Sequence, residues 1–147
     1  MRSEFLWEPV NDSNDSNDLY LLLPFDVTWV ANRVSCDQDI AADGFFSLGM
    51  VARLESSLRD RGDWFYRRLF WESGIIGQVL YLEAEAAGAR ATGIGCFYDD
   101  PVHEAAGLSG MEWQSLYHFS MGVPVEDGRL TTEPGYDWEV EEVNSTQ

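Results

Sequence analysis

The sequence predicts a single domain of mixed helices and strands, on three observations. A stretch of helical length runs from Trp64 to Ala87, largely apolar between Leu69 and Leu82, and stops at Gly88. Two short β-type segments follow it, separated by a segment that carries helix-start signals. Hydrophobic residues make up 45% of the chain and aromatic residues 14%, ample material for a core. A compact fold of 147 residues buries about 68–70% of its extended-chain surface.

The first 18 residues read as a flexible polar segment. Asn11 to Asp18 repeats Asn-Asp-Ser, which has nothing to bury and many side chains that compete with backbone pairing. Residues 19–135 read as the folded unit and 136–147 as an acidic tail with few anchors. Within the unit, Leu19 to Leu23, stopped by Pro24, predicts a buried strand or the remnant of one. Asp26 to Val34 is compatible with strand or loop. Asp39 to Arg59 predicts a helix, because Ile40, Phe46, Met50 and Leu54 fall near helical spacing and Gly62 follows closely.

The helix from Trp64 to Ala87 would span about 36 Å at 1.5 Å per residue. From Leu69 to Leu82 only Glu72, Ser73 and Gln78 are strongly polar, so the pattern predicts a central helix covered on nearly every side. Gly74 and Gly77 each cost about 1 kcal/mol relative to Ala. That points either to a close approach by another backbone or a flat ligand, or to ordinary tight packing. A strand is expected over Arg90 to Gly95. Asp100 and Pro101 suit the cap and first position of a helix over Val102 to Ala106, ended by Gly107. Leu116 to Gly122 alternates as a further strand, and the turn-rich Pro124 to Gly128 follows.

The charge narrows the partners. Nine basic residues, all Arg, face 26 acidic ones, for a net charge of -17. Such a field repels nucleic-acid backbones and anionic lipid, so neither is an expected partner, and any anionic ligand must be gripped locally. No run approaches the roughly 18 apolar residues of a membrane span; a soluble, cytoplasmic protein is expected. Cys36 and Cys96 lie far apart with no Cys-x-x-Cys and no Cys/His cluster, which predicts reduced thiols buried as small hydrophobes and no metal. His103 and His118 have no partner ligands nearby in sequence, and no Gly-x-Ser-x-Gly elbow exists.

Two constellations remain. In Thr92-Gly93-Ile94-Gly95-Cys96-Phe97, two glycines at a strand end allow a ring system to approach the backbone and leave amides free to donate; a tight turn between strand and loop is the commoner reason for such a pair. It is not a dinucleotide fingerprint, since no third glycine follows. In Gly122 to Arg129, the arginine follows a strand and a turn, from where it can reach a phosphate with two parallel bonds; it can equally pair with Glu126 or Asp127.

Taken together, Arg67-Arg68-Leu69-Phe70-Trp71-Glu72-Ser73-Gly74-Ile75-Ile76-Gly77-Gln78 and Leu80-Tyr81-Leu82-Glu83-Ala84-Glu85-Ala86-Ala87-Gly88 resemble the central helix of the nitroreductase-like family. Thr92 to Asp100 and Leu116 to Gly122 keep that family's order and spacing. The pattern most resembles the SagB-type branch, whose best-known members oxidise azolines to azoles in modified peptides. The similarity covers Cys36 to Thr132, which corresponds to the C-terminal portion of the family's domain.

The resemblance implies an α+β fold, a sheet flanked by helices, working as a dimer with FMN at the subunit interface. It implies ping-pong electron or hydride transfer, with NAD(P)H as donor and a small molecule or modified peptide as acceptor. Carried over by position, Gly93, Ile94, Gly95 and Cys96 would run beside the isoalloxazine ring with an amide near its N5. Phe97 would close that loop and Arg129 would bind the flavin phosphate. Family domains begin with a helix and an Arg-x-Ser-x-Arg segment that grips the phosphate; here Arg2-Ser3 is followed by Glu4-Phe5-Leu6, which does not complete it. Three readings follow: an FMN enzyme represented by its C-terminal portion, a binding or dimerisation module that has lost flavin, or one half of a split enzyme.

Overall fold

The computed structural model describes residues 4–10 and 19–131. The polar repeat and the acidic tail therefore lie outside the described residues. The elements run β1 (Glu8–Pro9), β2 (Tyr20–Leu21), α1 (Thr28–Val34), α2 (Ile40–Asp43), β3 (Phe46–Arg53), α3 (Glu55–Arg61), α4 (Phe65–Ala86), β4 (Arg90–Ile94), α5 (Asp99–Ala106) and β5 (Trp113–Gly122). This is the expected mixed fold.

The three longer strands form an antiparallel sheet in the order β3-β5-β4, so the last strand in sequence is the central one. Its register sets Gly49 and Ile94 beside His118, and Leu48 and Gly93 beside Phe119. Successive side chains of a strand point to opposite faces. Tyr117 and Phe119 meet α4, where Gly77 faces the Tyr117 ring and Tyr81 packs edge-on to Phe119 at 4.9 Å. His118 turns to the other face, where Ser35, just after α1, and Phe97, just before α5, receive it. The long helix α4 thus covers one face, and α1, α2 and α5 the other. A bulge between Met50 and Val51 shifts the β3–β5 register and lets Leu116 join Leu54, Phe65 and Leu69 in the main apolar cluster.

The helix from Trp64 to Ala87 forms as expected, with Phe65–Ala86 helical and Gly88 in left-handed backbone at φ 73° beyond its end. Its surroundings differ from expectation. Phe65, Leu69, Ser73, Gly77 and Ala84 form one buried stripe, and the opposite stripe is open, with Ile75 65% and Leu82 61% exposed. The described residues place elements against one side of α4 only. Gly77 is explained by the Tyr117 ring, and no backbone or ligand is needed; Gly74 has nothing near it.

Four other expectations are corrected. Leu19 to Leu23 is not a buried strand: two of its residues pair with β1, and Leu19, Tyr20 and Leu21 are exposed. Asp26 to Val34 is neither strand nor loop but contains α1, begun by a Thr28 N–H donated to the Asp26 carboxylate at 2.8 Å; that bond holds the Asp26 carboxyl below its ordinary range. Asp39 to Arg59 is broken into α2, β3 and α3. Phe46, Met50 and Leu54 recur every four residues, a spacing that keeps one face of a helix and equally one face of a strand; pairing with β5 decides for the strand. The helix expected at Val102 begins earlier, at Asp99, with Tyr98 as its extended N-cap and no side-chain cap bond.

A Cβ at Gly77 would lie 2.8 Å from the Tyr117 ring, whereas one at Gly74 would meet nothing within 4 Å. Gly77→Ala is therefore expected to destabilise by about 1–3 kcal/mol through overpacking. Gly74→Ala should gain up to about 1 kcal/mol of helix propensity. Urea unfolding of the two variants checks this; equal effects would show that α4 is not seated on β5 through Gly77.

Candidate functional site

β4 ends at Ile94, and the chain then runs Gly95-Cys96-Phe97-Tyr98 into α5. This short loop is held from several directions. Cys96 is joined to Cys36 in a disulfide, with 5.9 Å between their Cα atoms. The Gln38 side-chain amide donates to the Cys96 carbonyl at 3.1 Å and to the Ser35 carbonyl at 2.7 Å. The Tyr98 N–H donates to the Val34 carbonyl at 2.8 Å. Phe97 stacks on the His118 ring, with centroids 4.4 Å apart and planes within 2°. The expectation of reduced, buried thiols is therefore overturned: the turn between α1 and α2 comes alongside the end of β4, a meeting that a separation of 60 positions conceals in the sequence.

Within this loop the predicted residues do different things. The Gly93 amide is not free, because it donates to the Tyr81 hydroxyl at 2.6 Å. Gly93 also gives room to the Tyr117 hydroxyl, which occupies the place of a side chain there. Burial, and then the charge interaction and hydrogen bond with Tyr81, raise the Tyr117 phenol above its ordinary range. Ile94 is buried in the sheet beside His118. Gly95 and Cys96 are exposed, and a Cβ on Gly95 would meet nothing within 4 Å. Only the segment from Gly95 onward therefore presents backbone outward.

His118 anchors the loop from beneath. It is 3% exposed, with Nδ1 3.3 Å from the Ser35 hydroxyl and Nε2 3.1 Å from the Ser115 hydroxyl. Burial lowers its pKa, opposed by the charge of Asp99. His103 is half-buried in α5, and its Nε2 accepts the Ser115 N–H at 3.3 Å.

Beyond the far end of the same sheet lies an open groove of about 790 Å³, lined by Thr92, Ser120, Arg90, Asp43, Glu126 and Asp127 among others. Carboxylates outnumber the cation there, and Arg90 is itself paired with Glu85. Arg129 lies just outside. Its side chain is 89% exposed and forks onto Asp127, with Nε and Nη2 at 2.8 and 2.6 Å. That bond holds the Asp127 carboxyl low and the Arg129 guanidinium high. Of the two roles open to Arg129, the structure shows the ion pair.

The family model described as the nitroreductase family matches residues 6–123. The chain belongs to the nitroreductase family. Among solved structures, an Anabaena variabilis protein assigned as a nitroreductase is 26% identical with a TM-score of 0.65, over 72% of this chain and 22% of that one. A Staphylococcus epidermidis protein assigned as an NAD(P)H:FMN oxidoreductase gives 14% identity and a TM-score of 0.52, over 74% of this chain and 66% of that one. An Exiguobacterium sibiricum protein assigned as a nitroreductase, solved in complex with FMN, gives 15% and 0.53, over 79% and 69%. Functionally curated proteins include no match. The chain thus spans about a fifth of the Anabaena relative.

For a family whose solved members include an FMN complex, the open backbone at Gly95 and Cys96 fits the edge of a flat ring. The phosphate end is not matched among the described residues, because Arg129 and Arg90 are both paired and the groove is acidic. Sequence reasoning missed Tyr81, Tyr117, Gln38 and His118, which hold this edge. The even cysteine count was a usable signal for the disulfide; the two tyrosines carried none, since only the sheet register brings both to Gly93.

Because burial depresses His118 below its unfolded value, the unfolded chain binds the extra proton first. Its contribution to stability is whole above about pH 6.5 and is lost as pH falls through that value toward the folded pKa. The urea midpoint should fall between about pH 7.5 and 5.5, and fall less in His118→Gln. A wild-type midpoint that stays flat across that window would show that burial does not hold the ring neutral.

Proposed function

We propose that this chain supplies one wall of the FMN site of an FMN-dependent oxidoreductase, with Gly95, Cys96 and Phe97 along the ring edge and Gly93 and Ile94 holding that edge in the sheet. The observation that carries this is the outward backbone at Gly95, fixed by the disulfide, the Gln38 and Tyr98 bonds and the Phe97–His118 stack. When bound, FMN would take a hydride from NAD(P)H and pass electrons to an acceptor; the protein supplies placement and electrostatics. Membership of the SagB-type branch, with a modified peptide or small molecule as acceptor, is our reading of the motif order.

Arg129 would reach the phosphate only by leaving Asp127, and the rest of the grip would come from chain beyond these residues, from a second copy or from a complementary polypeptide. The open stripe of α4, where Trp71, Ile75, Val79 and Leu82 are exposed, supports such a partner, since a contiguous apolar face of this kind marks an interaction surface. No helix among the described residues is long and apolar enough to cross a membrane, and we place the protein in the cytoplasm. A second reading, a family module that has lost its flavin, draws on the acidic groove and the paired Arg129.

FMN titration, followed by quenching of flavin fluorescence, separates the two. The 147-residue chain should show saturable binding weaker than about 1 µM, since Arg90 and Arg129 are paired with carboxylates and the groove beside them is acidic. Gly95→Leu should weaken it about tenfold, or 1.4 kcal/mol, without lowering the thermal midpoint. Absence of saturable binding up to millimolar FMN would decide for the flavin-free module.

A further inference from the structure

The same two loops carry a feature that stands apart from flavin. The turn after α1 meets the loop after β4 through the Cys36–Cys96 disulfide, the Gln38 amide on the Cys96 carbonyl, and the Tyr98 N–H on the Val34 carbonyl. Cys36 and Asp37 both sit in left-handed backbone, at φ 58° and 55°, a region that residues with side chains occupy at a cost. Arg33 forks onto Asp37 at 2.8 Å and steadies the turn from one side; the disulfide ties it down from the other. Cys96 is exposed and Cys36 half-buried, so a thiolate in solution can reach the Cys96 sulfur. An exposed disulfide that closes a disfavoured turn belongs to the exchangeable kind and not to the inert structural kind.

We propose that Cys36–Cys96 is a thiol-exchangeable clamp that sets the rigidity of the Gly95–Phe97 edge. One thiolate of a dithiol attacks the Cys96 sulfur; the S–S bond breaks and Cys36 leaves as thiolate, taking a proton from solvent. The second thiol of the reagent then attacks the mixed disulfide, releasing Cys96 as a thiol and leaving the reagent oxidised, so two electrons pass from dithiol to protein. With the bond open, Cys36 and Asp37 leave the left-handed region, and the Gln38 and Tyr98 bonds lose the frame that aligns them. The sheet is spared, because the β3-β5-β4 ladders and the Leu54, Phe65, Leu69 and Leu116 cluster are made by other residues. The inference goes beyond the flavin reading and holds with or without FMN.

The test uses the native 147-residue chain and dithiothreitol without denaturant. Alkylation mapped by mass spectrometry should label Cys36 and Cys96 after treatment and neither before it. Amide hydrogen exchange should then show Tyr98 exchanging at least tenfold faster, with β5 amides unchanged and Tyr98 protection restored on reoxidation. Cys36→Ser combined with Cys96→Ser should show the fast Tyr98 exchange without reagent. Three results each overturn the proposal: cysteines that resist the reagent until the protein is unfolded, a Tyr98 rate that reduction does not change, or loss of β5 protection together with Tyr98, which would make the bond a staple of the whole fold.

Discussion

β5 is hydrogen-bonded along both sides, to β3 and to β4, and every other layer is set by which way its side chains turn. Phe119 is fully buried, between Leu48 and Gly93 in the ladder and under Tyr81 of α4. Its neighbours His118 and Ser120 must point the opposite way, and they do so as a polar set: His118 to Ser35 and Ser115, Ser120 to the Ile40 carbonyl at 2.7 Å. One strand therefore carries an apolar face for the long helix and a polar, satisfied face for the short ones. A slip of one residue would exchange the two sets, stranding the imidazole against α4. That penalty is what makes the register single-valued.

The glycines follow from the same constraint. Tyr117 is too large for the layer beneath α4 unless the positions around it are bare, and Gly77 and Gly93 are the bare positions. The consequence for the site is indirect. Because the Gly93 amide is consumed by Tyr81, outward-facing backbone begins only two residues later, past buried Ile94. The edge available to a ligand is thus displaced along the chain by packing on the far side of the sheet.

The long helix was legible because twenty-odd residues of apolar sequence with a terminal glycine admit little else, and the two strands after it because their alternation is short and bounded. The region before it was not. Phe46, Met50 and Leu54 recur at an interval that two and nearly four residues per turn both satisfy, so local pattern had no means of choosing; the choice was made by β5, some seventy residues downstream. The buried stripe of α4 was likewise unreadable, since both of its faces are apolar and only contact distinguishes them. The glycine edge was singled out by order and spacing, whereas the residues that hold it in place were not. Tyr81, Tyr117, Gln38 and His118 act across sequence gaps that carry no motif, and the disulfide joins cysteines whose spacing matches no known arithmetic.

The arrangement also explains how a chain this acidic could keep a rigid edge without gathering positive charge around it. Order at Gly95 to Phe97 comes from a covalent bond, from neutral hydrogen bonds and from a ring stacked on an imidazole whose pKa burial lowers. None of these depends on the long-range field, and none is screened by salt. The arginines are spent differently: Arg33, Arg68, Arg90 and Arg129 each lie against a nearby carboxylate at the surface, where such pairs contribute little to stability. A ligand arriving at this edge would therefore meet preset geometry and little electrostatic attraction from the described residues.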